Sequence, residues 1–397
     1  MARKMAVFQR DTMALPTPDP DALAHSQRLQ QNIAREIGVA GGWIPFAHFM
    51  ELALYTPGLG YYSGGARKFG AAGDFVTAPE MTPAFARTLA AQAAQIMALS
   101  APQILEAGAG SGRLATDLLL ELEVRKVLPR RYFILELSGE LRARQRETLL
   151  ADAPHLLDRV EWLDRLPARF DGLVLANELL DALPAHLVRW RDDGIFERGV
   201  SIADGQFVWV EQAATGAVLE RAKVLGSECI PGGGYLSEIG LAAAGWTASW
   251  ADILGCGALL LIDYGFPRHE FYHPQRHEGT LMCHYRHHAH PDPFYMPGLQ
   301  DVTVHVDFTA IAEAGTEAGL DFLGYTAQST FLINCGITEV LSRTPADDIH
   351  RYLPVASAVQ KLISPAEMGE LFKVIALGRG IDVALLGFRS GERSAAL

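Results

Sequence analysis

Two groups of residues in this chain have types and spacings suited to chemistry. The first is Glu106 with Gly108, Gly110 and Gly112, followed by Glu136, 24 residues after the last glycine. The apolar run from Ile104 to Ala107 predicts a buried strand, the glycines a turn, and the residues after them a helix. A second apolar run ends at Glu136. Glycines in such a turn let the backbone approach a ligand, and an acid closing the next strand accepts hydrogen bonds from ribose hydroxyls. The spacing is not that of a dinucleotide fingerprint, because the third glycine comes one residue early and Arg113 stands in its place. Glu106, inside the first turn, would also repel a pyrophosphate. A ligand with a ribose, little phosphate and a cationic part fits, and S-adenosylmethionine is such a ligand. Its sulfonium and ammonium favour the acid at Glu106, its ribose favours Glu136, and Leu137 is assigned to the same ligand. Glycines kept for packing alone are the plainer alternative.

The second group is Asn177, Glu178 and Asp181, in the run Gly172-Leu-Val-Leu-Ala-Asn-Glu-Leu-Leu-Asp-Ala-Leu-Pro184. In a parallel sheet, ligand chemistry lies beyond the carboxyl ends of the strands. A strand ending at Ala176 puts Asn177 and Glu178 at that edge, with Asp181 one helical step further. Asn177 is suited to fixing donor or acceptor through its amide, Glu178 and Asp181 to receiving a cationic acceptor. A helix N-cap with acids in the first turn, worth about 1 kcal/mol, is the competing explanation. The glycine loop nearby favours chemistry. Trp162, after the third strand, is placed against the adenine. Asp74 and Thr77, in the glycine-flanked block Gly73-Asp-Phe-Val-Thr77, are placed in a lid over the donor. His305 and Asp307, ahead of a predicted helix, are read as substrate-facing, with a helix cap as the alternative. Cys283, His284, His287, His288 and His290 imitate a metal cluster, but a zinc site needs a closed set of four ligands and this loop has no partner pair elsewhere. No metal is expected.

These residues need a scaffold. Strands at 103–107, 132–136, 159–163, 172–176 and 258–263, alternating with helices, predict a parallel sheet. Helices are predicted over Asp21–Gly38, Pro45–Leu54, Pro83–Leu99 and near 305–318. Leu187–Trp190, Gly199–Ile202 and Gln206–Val210, separated by Asp-Gly pairs at 193–194 and 204–205, predict an antiparallel insertion. Phe372–Leu377 and Asp382–Phe388 predict an antiparallel edge. The expected organisation is a mobile tail over 1–20, a helical and lid region over 21–100, and a core over 101–390 with insertions at about 187–250 and 266–304. The fold class is α/β: a mostly parallel sheet flanked by helices, with an antiparallel edge, an N-terminal helical extension and a β insertion.

Composition narrows the class. The chain has 397 residues, 49% of them hydrophobic, enough for a large core. A net charge of −12 argues against a broad nucleic-acid footprint. Four well-separated cysteines without a C-x-x-C pair suggest reduced thiols. No apolar run is long enough to span a membrane. The basic start lacks the apolar stretch of a secretory signal. The bacterial cytoplasm is the expected compartment, with the mitochondrial matrix as alternative.

The run Leu175-Ala-Asn-Glu-Leu-Leu-Asp-Ala-Leu-Pro184 resembles the N-E-F-F-D-A-L-P signature of the MidA-type methyltransferases, relatives of the mitochondrial complex I assembly factor that dimethylates an arginine. Leu54–Tyr62, Gly73–Glu80, Ile262-Asp-Tyr-Gly265, Gly279-Thr-Leu281 and His305–Phe308 are similar to further family blocks, and the resemblance runs from about residue 25 to 390. Leu179 and Leu180 replace two aromatics, which would reshape the acceptor pocket. Glu106-Ala-Gly-Ala-Gly110 replaces a more usual E-x-G-P-G. The resemblance implies a Rossmann-like class I methyltransferase sheet, S-adenosylmethionine as donor and a protein partner with a target arginine, and places His288, within a Y-x-x-H pattern at Tyr285, in the acceptor groove. A homodimer is compatible with it. Bottom-up chemistry agrees on the acceptor: a guanidinium is a poor nucleophile, and carboxylates such as Glu178 and Asp181 would orient it and take its proton. A catalytically idle assembly or chaperone module and a small-molecule methyltransferase are the alternatives. The intact donor-binding acids and glycines speak against the first.

Overall fold

The computed structural model describes residues 15–64, 77–230 and 233–397. Its first helices are α1 (Pro20–Val39), α2 (Phe46–Tyr55) and α3 (Pro83–Leu99). Side chains start α1 and α3: Asp19 accepts from the Ala22 N–H at 2.8 Å, and Thr82 from the Ala84 N–H at 3.2 Å. Each helix also has a proline in its first turn, where the missing N–H costs nothing.

The core then alternates: β1 (Gln103–Ala107), α4 (Arg113–Val124), β2 (Arg131–Leu135), α5 (Gly139–Asp152), β3 (Val160–Leu163) and β4 (Phe170–Asn177). An antiparallel module follows, with β5 (His186–Arg191), β6 (Gly194–Ala203), β7 (Gln206–Ala213), α6 (Gly216–Glu228) and β8 (Tyr235–Ile239). Asp204 and Gly205, at φ 51° and 75°, form the left-handed pair that a two-residue hairpin turn needs. The module closes at Ile239, earlier than expected. The helix α7 (Leu241–Ile253) returns to the core and feeds β9 (Leu254–Phe266).

Residues 266–304, which show no periodicity, nonetheless hold a three-stranded sheet of β10 (Met282–Tyr285), β11 (His288–His290) and β12 (Asp301–Thr303). The chain continues through α8 (Phe308–Glu317), β13 (Asp321–Ala327), α9 (Gln328–Asn334) and α10 (Ile349–Ile363) to β14 (Phe372–Arg379).

The central sheet runs β13-β14-β9-β4-β1-β2-β3, with β9, β4, β1, β2 and β3 mutually parallel. β14 is antiparallel to both β9 and β13, so it is a reversed strand set inside the sheet, not at its margin. Residues 382–388, expected to pair as an edge strand, do not. There Leu385 and Phe388 are buried in the core, and the Leu386 and Gly387 N–H groups donate to Gln95 and Gln92 of α3. Side-chain amides have taken the place of a neighbouring strand, and Asp321–Ala327 supplies the edge instead.

Alternate residues of the strands enter two cores. Leu173, Leu175, Leu260 and Ile262 pack with α3 and α4 on one face; Val174, Ala176, Leu259 and Leu261 pack with α7 and α8 on the other. Both faces are covered, which is why these strands read as continuous apolar runs. A third core joins α1 and α2 to the antiparallel module and to β10 and β12, through Leu29, Ile33, Phe49, Leu187, Val200, Cys283 and Val302. The N-terminal helices therefore pack on the two insertions, beyond the carboxyl ends of the parallel strands.

Candidate active site

A cavity of about 1460 Å³ lies between these layers, lined by the β1–α4 turn, the ends of β2 and β4, α2 and the β10–β12 segment. In the turn, Gly108, Gly110 and Gly112 all have positive φ, at 71°, 53° and 82°. At Gly112 the need is also spatial: a Cβ there would sit 2.9 Å from the Gln145 Cα. Glu136 closes β2. One oxygen accepts from the Ser138 N–H at 2.9 Å, the other from the Gln145 amide at 3.1 Å. Gln145 also donates to the Gly110 carbonyl at 3.1 Å and accepts from the Trp162 indole at 2.9 Å. Glu106 is buried, accepts from the Tyr132 hydroxyl at 2.6 Å, and is pushed up to about 7 by burial, with Glu136 adding to the rise. Burial also raises Glu136.

Asn177, Glu178 and Asp181 come together in another stretch of the same wall. Glu178 has a left-handed backbone, φ 52°, rare for a residue with a Cβ. The turn is held from β9: buried Asp263 accepts from the N–H groups of Leu179, Leu180 and Asp181 at 3.1, 2.8 and 3.3 Å. Burial and the neighbouring Asp181 push Glu178 up to about 8, against hydrogen bonds from the Asn177 amide and the Ala78 N–H. Asp181 is pushed up to about 6 by burial, against a bond from the Tyr264 hydroxyl. Its Oδ1 and the Asn177 Oδ1 are buried without a hydrogen-bond partner. No lysine, arginine or histidine among the described residues forms an ion pair with Glu178 or Asp181.

Other residues of this end are not picked out by the sequence patterns. The Tyr62 hydroxyl donates to Asp301 at 3.0 Å, Tyr55 stacks on Tyr62 at 5.6 Å, and the Tyr55 hydroxyl donates to the Ala182 carbonyl at 2.9 Å. Tyr264 bonds both Asp181 and Thr303. Asp301 has no recognisable motif around it. Tyr55, Tyr62 and Tyr264 fall inside the family blocks but carry no catalytic spacing.

The remaining expected residues are placed as follows. Leu137 and Thr77 line the cavity, and Asp74 lies outside the described residues. Trp162 is not in this lining; its indole is spent on Gln145, one step behind the glycine turn. His305 lines the cavity, pushed down to about 4 by burial and by Arg276 and Lys373. Asp307 caps α8, accepting from Thr309 and Ala310 at 3.1 and 3.2 Å, and lies outside the lining. His288 sits on β11, turned to the Arg286 carbonyl at 2.7 Å; His284 lines the cavity in its stead. Among the described residues, no group of three potential ligands could hold a metal.

Residues 85–326 match the model of a family of S-adenosyl-L-methionine-dependent methyltransferases. The chain belongs to this family. A crystal structure of a Burkholderia thailandensis protein bound to S-adenosyl-homocysteine has 54% identity to the methyltransferase and a TM-score of 0.93, over 97% of this chain and 100% of that one. A native crystal structure from the same organism has 53% identity and a TM-score of 0.90, with the same coverage. Mitochondrial protein arginine methyltransferases are more distant. That of Danio rerio is 28% identical over 88% of this chain and 86% of its own, and the Drosophila melanogaster homologue 27% over 94% and 91%.

The methyltransferase uses S-adenosylmethionine, and the residues present fit it. The glycine turn lines the cavity with backbone free of side chains, and the buried Glu136 carboxylate, held by the Ser138 and Leu137 N–H groups and by Gln145, has acceptor capacity beyond these bonds for ribose hydroxyls. Acids supply the surroundings that a sulfonium and an ammonium favour.

Proposed function

We propose that the methyltransferase is a protein arginine N-methyltransferase, with Glu178 and Asp181 receiving the guanidinium. The observation that carries this reading is the buried acid pair, with which no lysine, arginine or histidine among the described residues forms an ion pair, at the mouth of the strands beside the donor turn. The distant relatives named as protein arginine methyltransferases support it.

When bound, S-adenosylmethionine supplies an electrophilic methyl group. The chain supplies the rest. Glu106, the three glycines, Glu136 and Leu137 hold the donor, Asn177 orients groups between the two halves, and Thr77 closes the wall near the acids. Two carboxylates fix a guanidinium in its plane, since the fork of N–H donors matches carboxylate geometry. A carboxylate raised to about 8 is a better proton acceptor than an ordinary one while still ionising near neutrality. Asp181, braced by Tyr264, orients, and Glu178 takes the proton. Holding the nitrogen in line with the methyl contributes the entropic part of the barrier reduction. The four unpaired cysteines and the Burkholderia likeness favour the cytoplasm of a bacterium as the compartment.

The test is to incubate lysate with labelled S-adenosylmethionine and the protein, hydrolyse the labelled material, and separate methylated amino acids. Label in methylarginine is expected. Label confined to methyl-lysine or small molecules sinks the arginine reading, and donor binding without any transfer points to an idle assembly module.

A further inference from the structure

The same cavity wall carries positive charge that donor and guanidinium do not use. Arg276 lines the cavity, half-buried. Its guanidinium lies 4.1 Å over the Phe266 ring and donates to the Glu270 and Phe271 carbonyls. No carboxylate among the described residues lies within ion-pair distance of it. Its neighbour His305 lines the cavity too, and His305 Nδ1 is buried with no hydrogen-bond partner. Lys373, near His305, is engaged by Glu370. A half-buried guanidinium that meets only carbonyls, with Glu238 and Glu270 beyond ion-pair distance, and an imidazole nitrogen with no partner among the described residues both gain from a ligand that completes them.

This positive patch joins directly to the acid pair. The His305 ring packs edge-on against Tyr264, centroids 5.2 Å apart, and the Tyr264 hydroxyl bonds Asp181. One aromatic side chain therefore separates the two charge environments. Alternate side chains of an extended peptide leave the backbone on one face roughly 6.5–7 Å apart, and the lengths of an arginine and a glutamate side chain add to that reach.

We propose that Arg276 and His305 form a carboxylate subsite that selects an acidic residue next to the target arginine. The proposal rests on the arginine reading for its target, yet the subsite is defined by binding alone. Arg276 forms the charge-assisted bond to the carboxylate, His305 donates the second bond, and the Phe266 ring holds the guanidinium flat. The acceptor would then be an arginine in a locally acidic segment, with cation and anion each meeting its complement. An arginine in a basic segment would be repelled by Arg276 and Lys373.

Two measurements test this on the full-length protein loaded with S-adenosyl-homocysteine. The first is equilibrium binding of capped peptides carrying citrulline, a neutral stand-in for arginine, between two glutamates or two glutamines. The glutamate peptide should bind at least about tenfold more tightly, and the ratio should shrink at high salt. In Arg276→Gln the ratio should fall to about one, and in Arg276→Lys it should stay well above one. Equal binding of the two peptides to the unaltered protein, or a preference that survives Arg276→Gln, overturns the subsite. S-adenosyl-homocysteine affinity, measured on each variant, shows whether the cavity is intact, and the salt dependence is read on the unaltered protein. The second measurement is methyl transfer to the matched arginine peptides. A glutamate preference in kcat/KM that Arg276→Gln removes supports the subsite. Binding preference without any transfer keeps the subsite and defeats the arginine reading. Transfer without a preference does the reverse.

Discussion

Glu136 and Glu178 both face the cavity and both are raised by burial, yet their surroundings differ. Glu136 is held by the Ser138 N–H and by Gln145, and Gln145 is itself tied to Gly110 and Trp162. Glu178 sits on a left-handed backbone next to another acid, and Asn177, Asp181 and His305 nearby each keep a buried atom without a partner. The half assigned to the donor is held in place by hydrogen bonds within the protein. The half proposed for the acceptor keeps unpartnered carbonyl and carboxyl oxygens and a strained backbone that a cationic ligand would relieve. Function and stability therefore align at Glu136 and oppose each other at Glu178.

The largest effect separating the halves should come from Glu178→Gln. It keeps shape and removes charge, so turnover should fall at least about 100-fold while S-adenosyl-homocysteine affinity changes little. Asp181→Asn should cost less. Full activity in Glu178→Gln would remove this residue from the mechanism. Next is Glu136→Ala, expected to weaken S-adenosyl-homocysteine by about 1.5–3 kcal/mol in calorimetry. Transfer should recover at saturating donor, and an unchanged affinity would show that Glu136 does not hold the ribose.

The halves should also differ in their response to pH. Glu178 is raised from its ordinary 4.5 to about 8, so the folded state holds a proton that the unfolded state releases. This contribution to stability is complete below 4.5 and is lost as pH rises through about 8. Over that window Tm should carry a downward component that Glu178→Gln lacks, while turnover rises as the carboxylate ionises. A Tm profile identical in the two proteins would count against the buried, proton-holding state. The smallest effect is expected at Asp307. Asp307→Ala should cost about 1 kcal/mol of stability through the lost α8 cap, seen as a lower Tm, with transfer rate intact at low temperature. A large loss of rate there would return Asp307 to the substrate site.

What the sequence made legible follows the same division. The donor turn is local: strand, glycines, helix and terminal acid lie within one βαβ unit, so spacing alone identifies the ligand class. The acceptor end is assembled from α2, the β4 turn, β9 and β12, which are distant in the chain, so Asp301 carries no pattern to read, and Tyr55, Tyr62 and Tyr264 show only as members of family blocks. Asp263 was visible only as part of a family block, because its role is to hold a turn 82–84 residues away. Trp162 is picked out by its place at the end of β3; its indole N–H donates to Gln145, and the residue lies outside the cavity lining. The sheet edge differs from its sequence pattern for a related reason. Residues 382–388 have strand-like apolarity, but Gly387 lies where a Cβ would strike the Phe331 ring at 2.1 Å, and the glutamines of α3 take the backbone.

The reversed strand β14 has a consequence for how the chain reaches its native state. It fills a gap between β9 and β13, and its partners begin at Leu254 and Asp321. As the polypeptide emerges from a ribosome, β9 can pair with β4 on one side and its end with Val306–Asp307, but the edge of Gly257–Tyr264 that β14 covers stays open until Phe372–Arg379 arrive. For that interval an apolar strand edge in the middle of the future sheet is open to pairing with another chain. Closing it early, by adding a soluble peptide with the β14 sequence during refolding of a fragment that lacks it, should raise the yield of soluble protein.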